Sequence, residues 1–222
     1  MEAARSQPAP REPLSRDRIL RSAVELADRD GIDALSMRRL AKDLGVEAMS
    51  LYNHVKNKDE ILAGIIDLTV AEIELPDADG DWKAAMRRSA ISAKEAFLRH
   101  PWVSQLMYAR ESGGPASMRR GEWMLATFRK AGFSADVTYH AYHVLNAYLQ
   151  GVTNQHLAVP YKGDELAKMA REFMKDIPAD EFPYSIEHIE QHIDPEHEHK
   201  GGFELGLDLL LDGFERLRDA GR

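Results

Sequence analysis

The 222-residue sequence contains no cysteine, and this absence excludes several classes of protein. Without thiols there is no disulfide framework, no cysteine-ligated zinc or iron–sulfur site and no cysteine nucleophile. Apolar runs fall short of the ~18 residues that indicate a membrane span, and residues 1–15 carry prolines and charges where a secretion signal needs an apolar stretch. We therefore expect a cytoplasmic protein that has no contact with a membrane.

Sequence motifs of common enzymes are also missing. The chain has no G-x-S-x-G nucleophile motif, no phosphate-binding loop and no dinucleotide fingerprint. We expect the protein not to be an enzyme and to use no cofactor.

Strand-like alternation of apolar and polar residues is absent, and apolar residues recur instead at helical spacing. The sequence therefore predicts an all-α fold. The first helix begins after Ser15 and ends at Gly31, the second is capped by Ser36 and ended by Gly45, the third spans 46–55, and the fourth runs from Asn57 to about Glu74. Further helices are predicted at roughly 82–99, 102–111, 116–131, 135–158, 164–175 and 202–218.

The charge distribution leaves the N-terminal part of the chain able to approach DNA. The formal net charge is −8, which argues against a nucleic-acid partner because phosphate binding usually leaves a basic surface. Residues 1–60, however, hold 11 Lys and Arg against 11 Asp and Glu, so the whole net negative charge follows residue 60. A locally neutral module with arginines on one face can still meet phosphates.

The residues from Leu35 to Val55 have the pattern of a helix-turn-helix. Ala41 is small where the second and third helices must approach each other, and Gly45 can adopt the positive φ of a tight turn. Leu51 and Val55 form one apolar stripe on the third helix. In such a motif the second of the two helices enters the major groove of DNA.

The opposite face of the third helix is unusual for a surface in water. With the apolar stripe inward, helical spacing turns four side chains outward: Met49, Tyr52, Asn53 and Lys56. A methionine can pack on a thymine methyl group and a tyrosine can donate to a phosphate. Arg38 can pair with guanine or a phosphate, and Lys58 lies at a helix start that favours an anion.

Residues 15–74 resemble the DNA-binding domain of the TetR family of bacterial transcriptional regulators, most closely at Leu35-Ser36 and from Ser50 to Lys58. The resemblance implies two sets of DNA contacts. Base-reading positions are matched by Arg38, Ala48 and Met49, and positions near phosphates are matched by Ser36, Ser50, Tyr52, His54 and Lys58. Ala48 and Met49 stand where the family's tetracycline repressors carry a glutamine and a proline, so we expect a different operator.

Aromatic residues are concentrated after the DNA-binding segment. Of 17 aromatic residues only Tyr52 precedes residue 76, and such a supply can line a pocket for an apolar or aromatic small molecule. The candidate ligand-binding residues are Phe97, Trp102, Tyr108, Trp123, Tyr139, Tyr142, His143, Asn146 and Gln150. The alternative is that most of these aromatic side chains build the core and only a minority touch ligand.

The last predicted helix has apolar residues on more than one face and therefore needs partners around most of its girth. The resemblance implies a homodimer in which two helices of each subunit, here about 135–158 and 202–218, form the interface. Two copies of a recognition helix would read a palindromic operator. The predicted organisation is a flexible tail at 1–14, a helix-turn-helix domain at 15–58, a connecting helix at 59–75 and a helical ligand-binding and dimerisation domain at 76–222.

These patterns favour a ligand-responsive DNA-binding regulator of transcription, and a repressor over an activator. Two alternatives stay open. Four histidines among carboxylates lie between Glu187 and His199, and His188 and His192 are one helical turn apart. They suggest a metal-dependent hydrolase, although Ile189 stands where the HExxH motif requires glutamate and a solvated acidic connection explains the segment better. The other alternative is a constitutive DNA-binding protein without effector.

Overall fold

A computed structural model of the chain describes residues 13–77, 79–109, 114–158, 164–194 and 202–221, and no strand occurs among them. The helices are α1 Arg16–Asp30, α2 Met37–Leu44, α3 Ala48–Leu51, α4 Lys58–Ala71, α5 Trp82–Arg99, α6 Trp102–Ala109, α7 Pro115–Lys130, α8 Ala135–Ala158, α9 Asp164–Met174, α10 Pro183–Ile193 and α11 Gly202–Ala220. The all-α prediction is confirmed. Residues 1–12, most of the predicted tail, lie outside the described part of the chain.

Three of the first four helices begin at the capping residues that the sequence predicts. The hydroxyl of Ser15 accepts from the backbone N–H of Arg18 and that of Ser36 from the N–H of Arg39, each at 3.2 Å. Asn57 Oδ1 accepts from the N–H of Glu60 at 2.9 Å. Each bond satisfies a backbone donor that a helix start leaves unpaired, which fixes where the helix begins.

The third helix is shorter than the predicted 46–55. It begins after Glu47, whose backbone is extended, and regular helix ends at Leu51. Beyond it the N–H groups of Tyr52, Asn53 and His54 bond three residues back rather than four, so the last turn tightens. Asn53 and His54 therefore lie in the turn after α3 and not on a longer helix.

A helix that the sequence analysis missed is α10, which begins at Pro183. The sequence analysis predicts no helix between 175 and 202 and favours a solvated acidic connection from Glu187 to His199. Proline is favoured at the first helical position, where its missing N–H is not needed and its fixed φ suits the helix. Pro115 likewise stands at the start of α7, so both prolines begin helices.

The fourth helix contacts helices of both parts of the chain and ends at Ala71, three residues before the predicted Glu74. It packs against α1 on one side and α7 on the other. Its side chains Ile61, Leu62, Ile65 and Ile66 are buried as predicted. They belong to one continuous apolar core that extends from α1 to α11, so the N-terminal helices and the C-terminal helices share a core.

The C-terminal helices α5, α7, α8 and α11 pack on one another around the remainder of the core. Arg87 on α5 forms an ion pair with Asp208 on α11 at 2.8 Å. Lys83, one turn earlier, pairs with Asp212 and Glu215. These contacts fix α11 beside α5 and α8. No helix among the described residues has the length and apolar character needed to cross a membrane.

Candidate functional site

The helix-turn-helix core has the packing that its sequence predicts. Leu40, Ala41 and Leu44 on α2 are buried together with Leu51 and Val55. Gly45 follows α2 with φ 69° and ψ 36°, a left-handed conformation that glycine adopts without strain. The turn therefore brings α3 across α2 with Leu51 as its anchor.

The face of α3 opposite Leu51 is open to solvent. The side chain of Met49 is 75% exposed and that of Tyr52 is 47% exposed. Large apolar side chains gain nothing from such exposure in water, and neither contributes to the core. The surface that the sequence pattern turned outward is therefore the accessible surface in the folded chain.

The other candidate DNA contacts differ in their exposure. Ala48 and Ser50 are half-buried on α3, whereas the remaining candidates are exposed: Ser36, Arg38, Asn53, His54, Lys56 and Lys58. The oxygen of Ser36 caps α2, so only the hydroxyl proton and a lone pair are left for a phosphate. All ten residues lie between positions 36 and 58, on α2, α3, the turn after α3 and the start of α4, and their contacts with DNA stay a prediction.

Two neighbouring arginines on α2 differ in their ion pairs. Arg39 pairs with Asp30 at 2.9 Å and with Asp43 at 3.7 Å. Arg38 forms no ion pair within the described residues, and its side chain is exposed. Because its guanidinium is not neutralised inside the chain, Arg38 is available to an external anion or base.

Glu60 connects the exit from the helix-turn-helix to α4. Its carboxylate accepts from the backbone N–H of Lys56 at 2.8 Å and from Arg16 Nε at 3.2 Å. The hydrogen bond from Lys56 and then the one from Arg16 hold the pKa of Glu60 below its ordinary value. The segment that carries Lys56 and Lys58 is thereby attached to α1 and α4.

A cavity of about 860 Å³ lies in the C-terminal helices, within the range of about 300–1,000 Å³ typical of small-molecule sites. Its wall is built from α7 and α8, with contributions from α4, α5 and α6. The apolar part includes Val70, Phe97, Met107 and Leu149. Exposed side chains such as Met118, Leu125 and His143 border its opening.

Five of the nine candidate ligand-binding residues line this cavity: Phe97, Tyr142, His143, Asn146 and Gln150. Two of them already have polar partners within the chain. The amide of Asn146 donates to the carbonyl of Tyr142 at 2.8 Å, and the amide of Gln150 donates to the carbonyl of Ser104 at 2.9 Å. Their ligand contacts stay a prediction.

Three other candidate ligand-binding residues do not line the cavity. Trp102 is buried and its Nε1 donates to Asp28 on α1 at 2.7 Å. Trp123 donates to the carbonyl of Pro76 at 2.9 Å. Tyr139 is 60% exposed on the outer side of α8. The side chain of Tyr108, the remaining candidate, lies outside the described residues.

The sequence analysis missed Arg120, which lines the cavity from α7 and is only 7% exposed. Its Nη1 donates to Asn146 Oδ1 at 3.1 Å, while the buried Nε has no hydrogen-bond partner. Burial lowers the pKa of Arg120, although an arginine keeps its charge in a protein. Arg120 falls on the helical stripe of Ala116, Met124 and Phe128, and a charged residue on that stripe is the signal that was overlooked.

An apolar surface is left uncovered on α8 and α11. Tyr139 and Val144 are exposed on α8, and Leu205 and Leu209 are exposed on successive turns of α11. These are the two helices that the sequence analysis assigned to a dimer interface. Exposed apolar side chains on two helices that contact each other are typical of a surface that a partner covers.

Only part of the histidine cluster lies within the described residues. His188 is exposed on α10, the side chain of His192 is not described, and His197 and His199 lie outside the described residues. Within the described part of the chain no group of three or more His, Cys, Asp or Glu side chains could hold a metal ion.

A helix-turn-helix with an open recognition face, joined by a buried helix to a domain with a cavity, defines a ligand-responsive DNA-binding regulator. Residues 19–65 match the bacterial regulatory proteins of the tetR family, and residues 75–218 match the tetracyclin repressor-like C-terminal domain. The chain belongs to the TetR family of bacterial transcriptional regulators.

Individual relatives agree with this assignment. The chain is 30% identical over 218 residues to the HTH-type transcriptional repressor DrrR1 of Streptomyces coeruleorubidus, covering 94% of this chain and 80% of that protein. It is 28% identical over 217 residues to the class C tetracycline repressor protein of Escherichia coli, covering 92% of each. The interpretation as a hydrolase finds no support in these similarities.

A solved relative has the same fold over nearly its whole length. Apo ActR from Streptomyces coelicolor matches with a TM-score of 0.80 and 27% identity, covering 95% of this chain and 99% of that one. ActR in complex with actinorhodin matches with a TM-score of 0.77 and 29% identity, covering 95% and 100%.

Proposed function

We propose that the protein is a transcriptional repressor that binds a palindromic operator as a homodimer and is released by a small apolar or aromatic effector. The observation that carries this proposal is the open face of α3, where Met49 and Tyr52 are exposed while Leu51 anchors the helix. The relative DrrR1 is described as a repressor. A regulator of this kind acts where the chromosome lies, in the cytoplasm.

We assign a separate role to each part of the chain. Residues 15–58 bind DNA, residues 59–75 connect the DNA-binding domain to the C-terminal domain, and residues 76–222 bind the effector and form the dimer. We assign the dimer contact to the exposed apolar surface on α8 and α11, because a second copy of the same surface would cover Leu205 and Leu209. A two-fold pair of recognition helices then reads two half-sites about 34–36 Å apart.

The fourth helix supplies the connection between effector and operator. Lys58 stands at its DNA-facing start, Asp67 accepts hydrogen bonds from the beginning of α7, and Val70 forms part of the cavity wall. The helix has 14 residues, which corresponds to a length of about 21 Å. A displacement of the cavity wall is therefore delivered to Lys58 by one rigid element.

Thermodynamic linkage sets the size of the response. If the effector prefers a conformation in which the two recognition helices no longer fit one operator, its binding lowers operator affinity by the same coupling free energy. Such couplings are typically about 1–3 kcal/mol, or about 5- to 150-fold in affinity. ActR, a relative of this fold, has been solved in complex with actinorhodin, an observation that favours control by a small molecule here.

The first test is selection of binding sequences from random double-stranded DNA at a stated salt concentration, since the salt dependence is large. We expect an inverted repeat whose half-sites are centred about 10 base pairs apart or a multiple of that spacing. A selected site without two-fold symmetry would contradict the proposed dimer on DNA. No enrichment of any sequence would contradict the function itself.

The second test replaces Arg38 with alanine. If Arg38 pairs bidentately with guanine, operator affinity falls by about 1–3 kcal/mol and the preference relaxes at one base position. A loss of equal size on every sequence would instead assign Arg38 to a phosphate. Arg88→Ala is the matched control, because it removes the same charge from an exposed position on α5 in the C-terminal domain.

A screen of apolar compounds by thermal shift separates this proposal from a constitutive DNA-binding protein. A ligand present at 100 times its Kd stabilises the folded state by about 2.7 kcal/mol. Compounds that raise the unfolding temperature are then tested for release of the selected operator. Stabilising compounds that leave operator binding unchanged would contradict effector control.

A further inference from the structure

Arg120 is the one charged side chain in the buried stripe of α7, the helix that forms much of the cavity wall. A guanidinium removed from water is costly unless anions and hydrogen-bond acceptors surround it. Within the described residues Arg120 has no ion pair, and its single hydrogen bond goes to the neutral amide oxygen of Asn146. The charge is therefore buried without an anion to balance it.

One edge of the Arg120 guanidinium, formed by Nε and Nη2, has no hydrogen-bond acceptor among the described residues. Nη1 is occupied by Asn146, whereas Nε has no partner and Nη2 makes no hydrogen bond within the described residues. Nε and Nη2 form a planar pair of donors that matches the two oxygens of a carboxylate.

No carboxylate of the cavity wall fills that edge. Glu122 lies on α7 two residues after Arg120, and side chains two apart on a helix point to different sides. Glu122 is also exposed, so it stays hydrated at the opening of the cavity. Because none of the described carboxylates completes the site, we assign that role to an anion carried by the ligand.

Resting on the proposed function, we propose that the effector is an organic acid whose carboxylate pairs with Arg120 while its apolar body fills the cavity. The body contacts Val70, Phe97, Met107 and Leu149, which offer no polar group to it. Asn146 holds the guanidinium in place and so orients the acid. Neutral compounds of the same shape fill the same space but leave the buried charge unpaired.

The test compares acids with their primary amides by isothermal titration calorimetry on the full chain. The probes are 2-naphthoic acid, anthraquinone-2-carboxylic acid and decanoic acid, each paired with its amide so that shape is kept and charge removed. A hydrogen-bonded charge pair predicts that at least one acid binds roughly 10-fold or more tightly than its amide. In Arg120→Met the acid should weaken to within about two-fold of the amide, whose own affinity should not fall.

Arg119→Met is the matched control, because Arg119 is exposed on the same helix and does not line the cavity. It should keep the full preference for the acid. Arg120→Lys should keep part of it, since the charge remains but the planar pair of donors is lost.

A thermal unfolding measurement without ligand distinguishes a ligand-binding arginine from a structural one. Removing an unbalanced buried charge should leave the unfolding temperature of Arg120→Met equal to or above that of Arg119→Met. A lower temperature for Arg120→Met would assign the side chain to the fold and overturn the proposal. So would equal affinities for acid and amide in the unmodified protein, or binding of none of the six probes. Either result would leave the proposed function standing, because that function is tested by the selection of operator DNA.

Discussion

The start of α7 is capped by a residue from another helix, and this arrangement gives a sharp prediction. Gly114 occupies the N-cap position and has no side chain to accept a hydrogen bond. Asp67 on α4 takes that role: its carboxylate accepts from the N–H of Ala116 at 3.1 Å and from the N–H and hydroxyl of Ser117 at 2.9 and 3.1 Å. A Cβ atom at Gly114 would overlap the carboxylate of Asp67, so a glycine at this position allows Asp67 to cap α7.

Replacing Asp67 with alanine removes both the cap and a negative charge at a helix N-terminus. Loss of a capping side chain costs about 0.5–2 kcal/mol, and loss of a favourable charge there costs about 0.3–1 kcal/mol. We expect a total of about 2 kcal/mol in the free energy of unfolding. For a chain of this size that corresponds to a fall of about 4–8 °C in the unfolding midpoint, measured by circular dichroism.

A double variant separates the stability of α7 from its connection to α4. In Asp67→Ala/Gly114→Ser the overlap is gone and the extended backbone of residue 114, with φ −67° and ψ 161°, suits a serine cap. We expect about 1 kcal/mol of the lost stability to return while the hydrogen bonds between α4 and α7 stay absent. Release of operator DNA by a ligand should then remain weaker than in the unmodified protein.

Two results would refute this reasoning. If Asp67→Ala unfolds at the same temperature as the unmodified protein, the carboxylate does not cap α7 in solution. If the double variant releases operator at the same ligand concentration as the unmodified protein, the path from the cavity to α4 does not depend on Asp67. Gly114→Ser alone serves as the control, since its side chain meets the carboxylate and should destabilise the protein.

Two further predictions concern polar contacts of the N-terminal helices. The hydrogen bond from Lys56 lowers the pKa of Glu60 in the folded protein. The ionised Glu60 carboxylate therefore stabilises the fold above its unfolded-state pKa of about 4.3, and this stabilisation is lost as the pH falls through the lower folded-state pKa. Glu60→Gln should therefore be less stable than the unmodified protein at pH 7, with a difference that shrinks in urea titrations below about pH 4; a constant difference would contradict this. Asp28 accepts from Trp102 Nε1 at 2.7 Å and contacts His100 Nδ1 at 2.9 Å, so Asp28→Ala should lose about 1–3 kcal/mol by urea unfolding, and Asp28→Asn less.

The parts of the fold that could be predicted depend on interactions between residues close together in the sequence. Ser15, Ser36 and Asn57 each accept from a backbone N–H within three residues, and that bond depends on no distant partner. The positive φ of Gly45 is likewise a property of one residue in one turn. Helix starts and the outward face of α3 could therefore be predicted, whereas α10 was missed because Pro183 can end one helix or begin another.

The cavity depends on distant parts of the chain, which explains why only part of its wall could be predicted. Large aromatic side chains pack most favourably with one another, and Trp82, Phe128, Phe133 and Phe214 form such a cluster with ring centroids 4.9–6.0 Å apart. Part of the aromatic supply therefore builds the core, and how many of the other aromatic side chains touch ligand stays a prediction. What surrounds the cavity is set by the angles at which five helices meet, and those angles are not encoded in any short stretch.

The burial of α4 constrains how a ligand signal can travel. Ile61 and Ile65 face the core shared with α1, while Asp67 and Val70 meet α7 and the cavity wall. A helix enclosed by close-packed neighbours cannot shift alone, because any displacement opens gaps on one side and overlaps on the other. Movement of α7 must therefore be accompanied by movement of α4, and with it of the segment that carries Lys58 toward DNA.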